Sequence, residues 1–206
     1  CYLSSVVFIP VGLAALLFYT FPLMVAAISH FQEGVRLGLR RLGAFLLAFL
    51  GLVIALSPSV SVLDWRGIGL AVFAAFTTAV TFVLSRRLIH ELGVFTFTMY
   101  MSAGSVLLLM GVILSVGSVA FPQNAIGWSG LGGAGLGFVV GILAIFSAIK
   151  IVGSATTAML LNLEPLISII AAALVLGERL TMVQLLGAIM VVSALVVSTL
   201  ESKRLA

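Results

Sequence analysis

Seven long apolar runs, parted only by short charged or Gly/Pro-rich links, dictate what this chain can become. They cover approximately Val11–Phe31, Leu39–Leu56, Gly67–Val83, Phe95–Gly117, Leu131–Ile149, Ala155–Leu176 and Met182–Leu200. A membrane span needs about 20 mostly apolar residues in a helix, so each run is a candidate span. Composition agrees, with 63% hydrophobic and 8% charged residues against roughly 25% charged in an average soluble domain. The expected fold is all-α, a polytopic membrane helix bundle with about seven transmembrane helices in this chain. The longest link runs from Ser118 to Gly130 and carries Pro122, Asn124 and Trp128, the last a candidate interfacial anchor. No soluble domain fits between the spans.

The formal charge of +4 would suggest nucleic acid in a soluble protein, but here the basic residues stand at helix ends, and no nucleic-acid partner is expected. Arg36, Arg40, Arg41, Arg86, Arg87, Lys150, Lys203 and Arg204 fall on one set of alternate loops, and only Arg66 and Arg179 on the other. By the positive-inside rule this bias puts the C-terminus in the cytoplasm. The expected location is the plasma (inner) membrane, multi-pass. Cys1 is the single cysteine, which excludes an internal disulfide and a multi-thiolate metal cluster. No metal site and no cofactor are expected. His30 and His90 stand at helix ends, far in sequence from any partner for a metal or catalytic cluster, and receive no role.

Within the sixth run, LNLEPLISII places Glu164 directly before Pro165. A charge at the centre of a span costs about 2.5–3.5 kcal/mol on insertion scales, and a proline there deletes a backbone hydrogen bond. A passive anchor needs neither. The first run has a matching break at Pro22. Setting Pro22 on Pro165 aligns PVGLAALLFYTFPLMVAAISHF with GSATTAMLLNLEPLISIIAAAL, pairing Ala15 with Ala158, Leu17 with Leu160 and Leu23 with Leu166. Each half continues through a charged link into a Gly-Ala pair, Gly43-Ala44 and Gly187-Ala188. The two proline helices are the first and sixth runs, an odd step of five with four spans between them, so the copies would insert with opposite polarity. Inverted repeats with interrupted helices mark secondary transporters, whose sites lie near the midplane at the repeat interface.

The segment LLNLEPLISIIAAALVLGERLTMVQLLGAIMVVSALVV resembles the closing two helices of EamA-type members of the drug/metabolite transporter superfamily, with LEP, LGERL and Q-LLGA in order. FIPVGLAALLFYTFPLMVAA resembles the fourth helix of that family's first repeat. The resemblance implies a bundle built on two inverted five-helix repeats with both termini cytoplasmic. It divides this chain into residues 1–57, the end of the first repeat, residues 64–200, the second repeat, and a cytoplasmic tail at 201–206. The chain opens at Cys1 without an initiator methionine or a basic segment before its first apolar run. About two and a half helices of the family's ten are therefore expected to be missing upstream. The link FQEGVRLG departs from the order Gly177-Glu178-Arg179, so Glu33 does not inherit the place of Glu178.

The expected function is secondary, non-ATP transport of small metabolites or drugs by alternating access, and no enzyme activity. Glu164 leads the candidate substrate-binding residues. A midplane carboxylate must be hydrated, paired or protonated, so it either binds or exchanges a proton with a cationic or amine-bearing substrate, or is held by a neighbouring helix. Asn162 and Tyr19 each stand three residues before a proline, and each reads as a substrate contact or an interhelical hydrogen-bonding group. Tyr100, with Thr96 and Thr98 close by, lines the cavity or sits at the interface. Pro22 and Pro165 free carbonyls one turn earlier, near Phe18 and Leu161, or merely kink their helices. Gly133, Gly137 and Gly141 leave one helix face bare for packing, against an internal neighbour or a second protomer in a homodimer. Lys150 reads as a snorkelling anchor. The expected partners are a small-molecule substrate and the lipid bilayer.

Other classes fit less well. A seven-helix receptor or a structural membrane subunit is suggested by span count alone, and Met182–Leu200 holds no mid-helix lysine for retinal. An intramembrane hydrolase would need HExxH, GxSxG or paired carboxylates, and the sequence offers none.

Overall fold

The computed structural model describes residues 1–32, 38–56, 63–117, 122–176 and 181–205. These residues form helices and no strand: α1 (Tyr2–Ser5), α2 (Val11–Phe18), α3 (Phe21–Gln32), α4 (Leu39–Leu56), α5 (Trp65–Leu92), α6 (Val94–Val116), α7 (Ala125–Val152), α8 (Ser154–Leu160), α9 (Leu163–Leu176) and α10 (Met182–Leu205). Five stretches are long and apolar enough to cross a membrane, and Leu42–Leu56 and Met182–Ser198 are shorter apolar helices. The architecture is an all-α polytopic bundle. The links holding Glu33, Arg36, Glu178 and Arg179 lie outside the described residues.

Several helices overrun the limits set by hydropathy. α5 starts at Trp65 rather than Gly67 and continues through Arg86, Arg87, His90 and Glu91 to Leu92. At about 1.5 Å per residue its 28 residues reach roughly 42 Å, beyond the hydrocarbon core of about 30 Å. Charge ends a membrane span without ending a helix, and Arg87 and Glu91 even make an exposed i,i+4 ion pair at 3.3 Å. α7 starts at Ala125 rather than Leu131, because Asn124 caps it by accepting from Gly127 N at 2.7 Å. Trp128 therefore sits in the helix rather than in the link. α10 runs to Leu205, past the expected end at Leu200.

The chain divides into two compact units, Cys1–Val83 with Ser154–Ala206, and Leu84–Gly153. In the first, α4 and α10 pack with their backbones in contact. A Cβ on Gly51 would lie 2.8 Å from Gly187 O, and one on Gly187 would lie 2.5 Å from both Gly51 O and Ala55 N. Around this point Ala48, Leu52, Ala55, Val191 and Ala194 are fully buried. Their spacing of three and four residues gives each helix one continuous inner stripe. A smaller core joins Ile9, Leu13 and Ala14 to Ala71 of α5. Gly67 lets α5 start close to Phe8 and Ile9, where a Cβ would meet side-chain atoms at 2.8–3.0 Å.

In the second unit α6 and α7 are mostly exposed, and the rings of Phe97 and Phe146 meet edge to face at 4.9 Å. Gly133, Gly137 and Gly141 have no atom within 4 Å of an added Cβ among the described residues. One residue, Gly93 at φ 82° and ψ 157°, joins α5 to α6, and Gly153 at φ 85° and ψ 164° joins α7 to α8. That backbone region is essentially closed to residues with a Cβ. Hydroxyls inside these apolar helices bond back to their own helix, as Thr77 Oγ1 does to Phe73 O at 3.0 Å and Thr98 Oγ1 to Val94 O at 2.7 Å.

Two substitutions separate close packing from backbone strain. Gly187→Ala should destabilise the protein by about 1–3 kcal/mol, a loss of roughly 2–12 °C in melting midpoint for a chain of this size. Gly93→Ala, which meets nothing within 4 Å, should also cost about 1–3 kcal/mol through its positive φ alone. Gly43→Ala, helical and open, should be neutral or slightly stabilising. Thermal denaturation in detergent followed by size-exclusion fluorescence measures all three; equal midpoints would contradict the geometry.

Candidate functional site

The candidate site is built on two helix interruptions in the first unit. The opening span breaks between α2 and α3 at Tyr19 and Thr20, and the later one breaks between α8 and α9 at Leu161 and Asn162. Each proline stands just past its break, Pro22 second in α3 and Pro165 third in α9. A proline in the first turn removes an N–H that has no helical acceptor anyway, so the deleted bond costs little.

Both breaks are closed by local bonds. Thr20 donates twice to Leu17 O, from its N at 3.3 Å and its Oγ1 at 2.7 Å. Leu23 N and Met24 N then donate to Thr20 O at 3.1 and 3.2 Å. In the other half Asn162 N donates to Met159 O at 3.1 Å and Glu164 N to Leu161 O at 3.0 Å. The Leu161 carbonyl, expected to be freed by Pro165, thus has a donor. These i→i+3 turns let the chain change course without leaving polar backbone bare.

The breaks bring their side chains together. Tyr19 is buried, at 9% exposure, and its hydroxyl lies within hydrogen-bonding reach of the Glu164 carboxylate. Tyr2, from α1, is close enough to interact with both. Glu164 itself is exposed and occupies the first turn of α9. That position suits an acid, since the partial positive charge of a helix N-terminus attracts a carboxylate by about 0.3–1 kcal/mol. Asn162 is buried at 3% exposure beside the same break. A carboxylate backed by a hydroxyl can hold a cationic group or pass a proton to it.

Tyr100 belongs to the second unit, on α6, and is 62% exposed. Lys150 is exposed in the last turn of α7. Among the described residues no group of three His, Cys, Asp or Glu side chains is placed to hold a metal ion.

Sequence reasoning singled out Tyr19 but overlooked Tyr2 and the phenylalanine rings packed on the two tyrosines and on one another. Phe18 lies 4.9 Å from Tyr2, 5.8 Å from Tyr19 and 5.4 Å from Phe21, and Phe21 lies 5.6 Å from Phe82, by ring centroids. The run Phe18-Tyr19-Thr20-Phe21 was a visible signal. Tyr2 and Phe82 join it only through folding.

Comparison with known proteins adds an independent finding. A family model described as the EamA-like transporter family matches residues 65–200. Among solved structures 25 chains match. One of them, titled only "Crystal structure of protein", superposes with a TM-score of 0.79 at 22% identity, covering 98% of this chain and 71% of that one. At that identity the likeness concerns the fold alone. Comparison with curated proteins gives no match. The family match covers well over half of the chain, and on that ground this multi-pass membrane protein belongs to the EamA-like transporter family.

Proposed function

We propose that the protein is a secondary transporter that moves small metabolites or drugs across the plasma (inner) membrane by alternating access, without ATP and with its C-terminus in the cytoplasm. The observation that carries this reading is the meeting of two interrupted helices at Tyr19 and Glu164. Broken helices at membrane depth are tolerated where they face protein or a water-filled path, and an intramembrane carboxylate is a functional group by default. Tyr19 and Asn162, each three residues before a proline, would supply hydrogen bonds to the substrate from the two repeats. The breaks supply bending points about which the half-helices rock.

Glu164→Gln keeps the shape and removes the charge. In proteoliposomes it should lower substrate flux about tenfold or more, because a charge-assisted contact is lost where water is scarce, while insertion and melting midpoint stay near those of the parent. Tyr19→Phe removes only the hydroxyl and should lower flux by about three- to tenfold, the equivalent of roughly 0.6–1.4 kcal/mol. Counterflow of radiolabelled solute, with purified amines, amino acids and nucleobases screened as competitors, measures both. Unchanged flux in Glu164→Gln at every pH would remove the carboxylate from the transport path.

A further inference from the structure

We propose that the site around Glu164 takes an organic monocation carrying a flat apolar group, an aromatic amine or aromatic quaternary ammonium, rather than a zwitterion or an anion. This rests on the transporter reading of the site and narrows its substrate class. The first argument is charge. Glu164 is the one acid on α2, α3, α8 and α9, and these helices carry no lysine or arginine. His30 stands in the last turn of α3, eight residues past Pro22. A ligand carboxylate would find no cationic side chain on the elements that form the breaks, only the repulsion of Glu164. An ammonium finds a full counter-charge.

The second argument is the aromatic wall. Tyr2 and Phe18 are half-buried, with their rings 4.9 Å apart and tilted by 45°. Behind them stand the buried rings of Tyr19, Phe21 and Phe82. A ring face draws a cation through its quadrupole and stacks on a flat apolar group. A carboxylate that interacts with Tyr2 and Tyr19, on both of which the half-buried Phe18 ring packs, therefore matches both ends of such a molecule.

The test uses the purified protein in nanodiscs, with benzyltrimethylammonium, phenylalanine and phenylacetate titrated calorimetrically. Benzyltrimethylammonium should bind at least about tenfold more tightly than the other two. Glu164→Gln should weaken it about tenfold or more, and Phe18→Leu and Tyr2→Leu about threefold or more each. Melting midpoints establish that the variants are folded; the two ring variants lie on different helices, so failure of one to fold leaves the other. Binding of phenylalanine or phenylacetate as tight as the cation, or cation binding that is absent or indifferent to Glu164→Gln and both ring variants, overturns the proposal. Glu164-dependent binding of the cation in a protein that catalyses no flux of it would overturn transport while leaving the ligand class. Glu164-dependent flux of phenylalanine without cation binding would do the reverse.

Discussion

Hydrogen bonding of the main chain in a solvent that offers none is the constraint on which the rest of the structure depends. In hydrocarbon each bare N–H or C=O costs several kilocalories, so a span must be helical unless something else supplies the bonds. The interruptions at Tyr19–Thr20 and Leu161–Asn162 meet that condition with tight turns and, in the first, with a threonine hydroxyl. The prolines follow from the same rule, each in the opening turn of a half-helix where no N–H is needed. Glu164 is the next consequence. A half-helix that begins inside the membrane presents its positive end there, and an acid in that turn complements it.

Small residues then determine how the helices associate. Lipid competes for apolar surface as well as a neighbouring helix does, so association relies on close backbone approach and good packing. α4 and α10 achieve this with one glycine each, set among alanines, valine and leucine. α8 does it with Ser154, Ala155, Thr157 and Ala158, all buried. The bulkier side chains of α6 and α7 point largely to the outside of their unit, as suits residues that meet lipid tails.

The helical type of the elements and the apolar runs they fill were legible from hydropathy, because membrane spans are selected for length and apolarity together, although the first and sixth runs each divide into two helices. Their ends were not. Arg86 and Arg87 terminate a hydrophobic run but are good helix formers, and α5 passes through them; Asn124 caps α7 six residues before the run it introduces becomes uniformly apolar. In the candidate site Glu164, Tyr19 and Asn162 could be singled out individually, since a polar group at such depth is costly. That Tyr19 meets Glu164 could not, because their contact joins residues far apart in the chain. The regular spacing of Gly133, Gly137 and Gly141 attracted a packing role, yet the tight contact lies at Gly51 and Gly187, which no periodicity advertises. Close approach needs only one missing side chain on each partner.

That last contact has a consequence for how the protein can evolve. A large core residue can shrink when its neighbour grows, so most packing positions drift in compensating pairs. Gly51 and Gly187 have no such freedom, because each already carries the smallest side chain and faces the other's backbone. A methyl on Gly187 would meet only backbone of α4, and one on Gly51 would meet the Gly187 carbonyl as well as the Val191 side chain, so trimming a side chain does not clear the way. The α4–α10 pair can adapt along the rest of its length, and at this crossing it must be inherited unchanged.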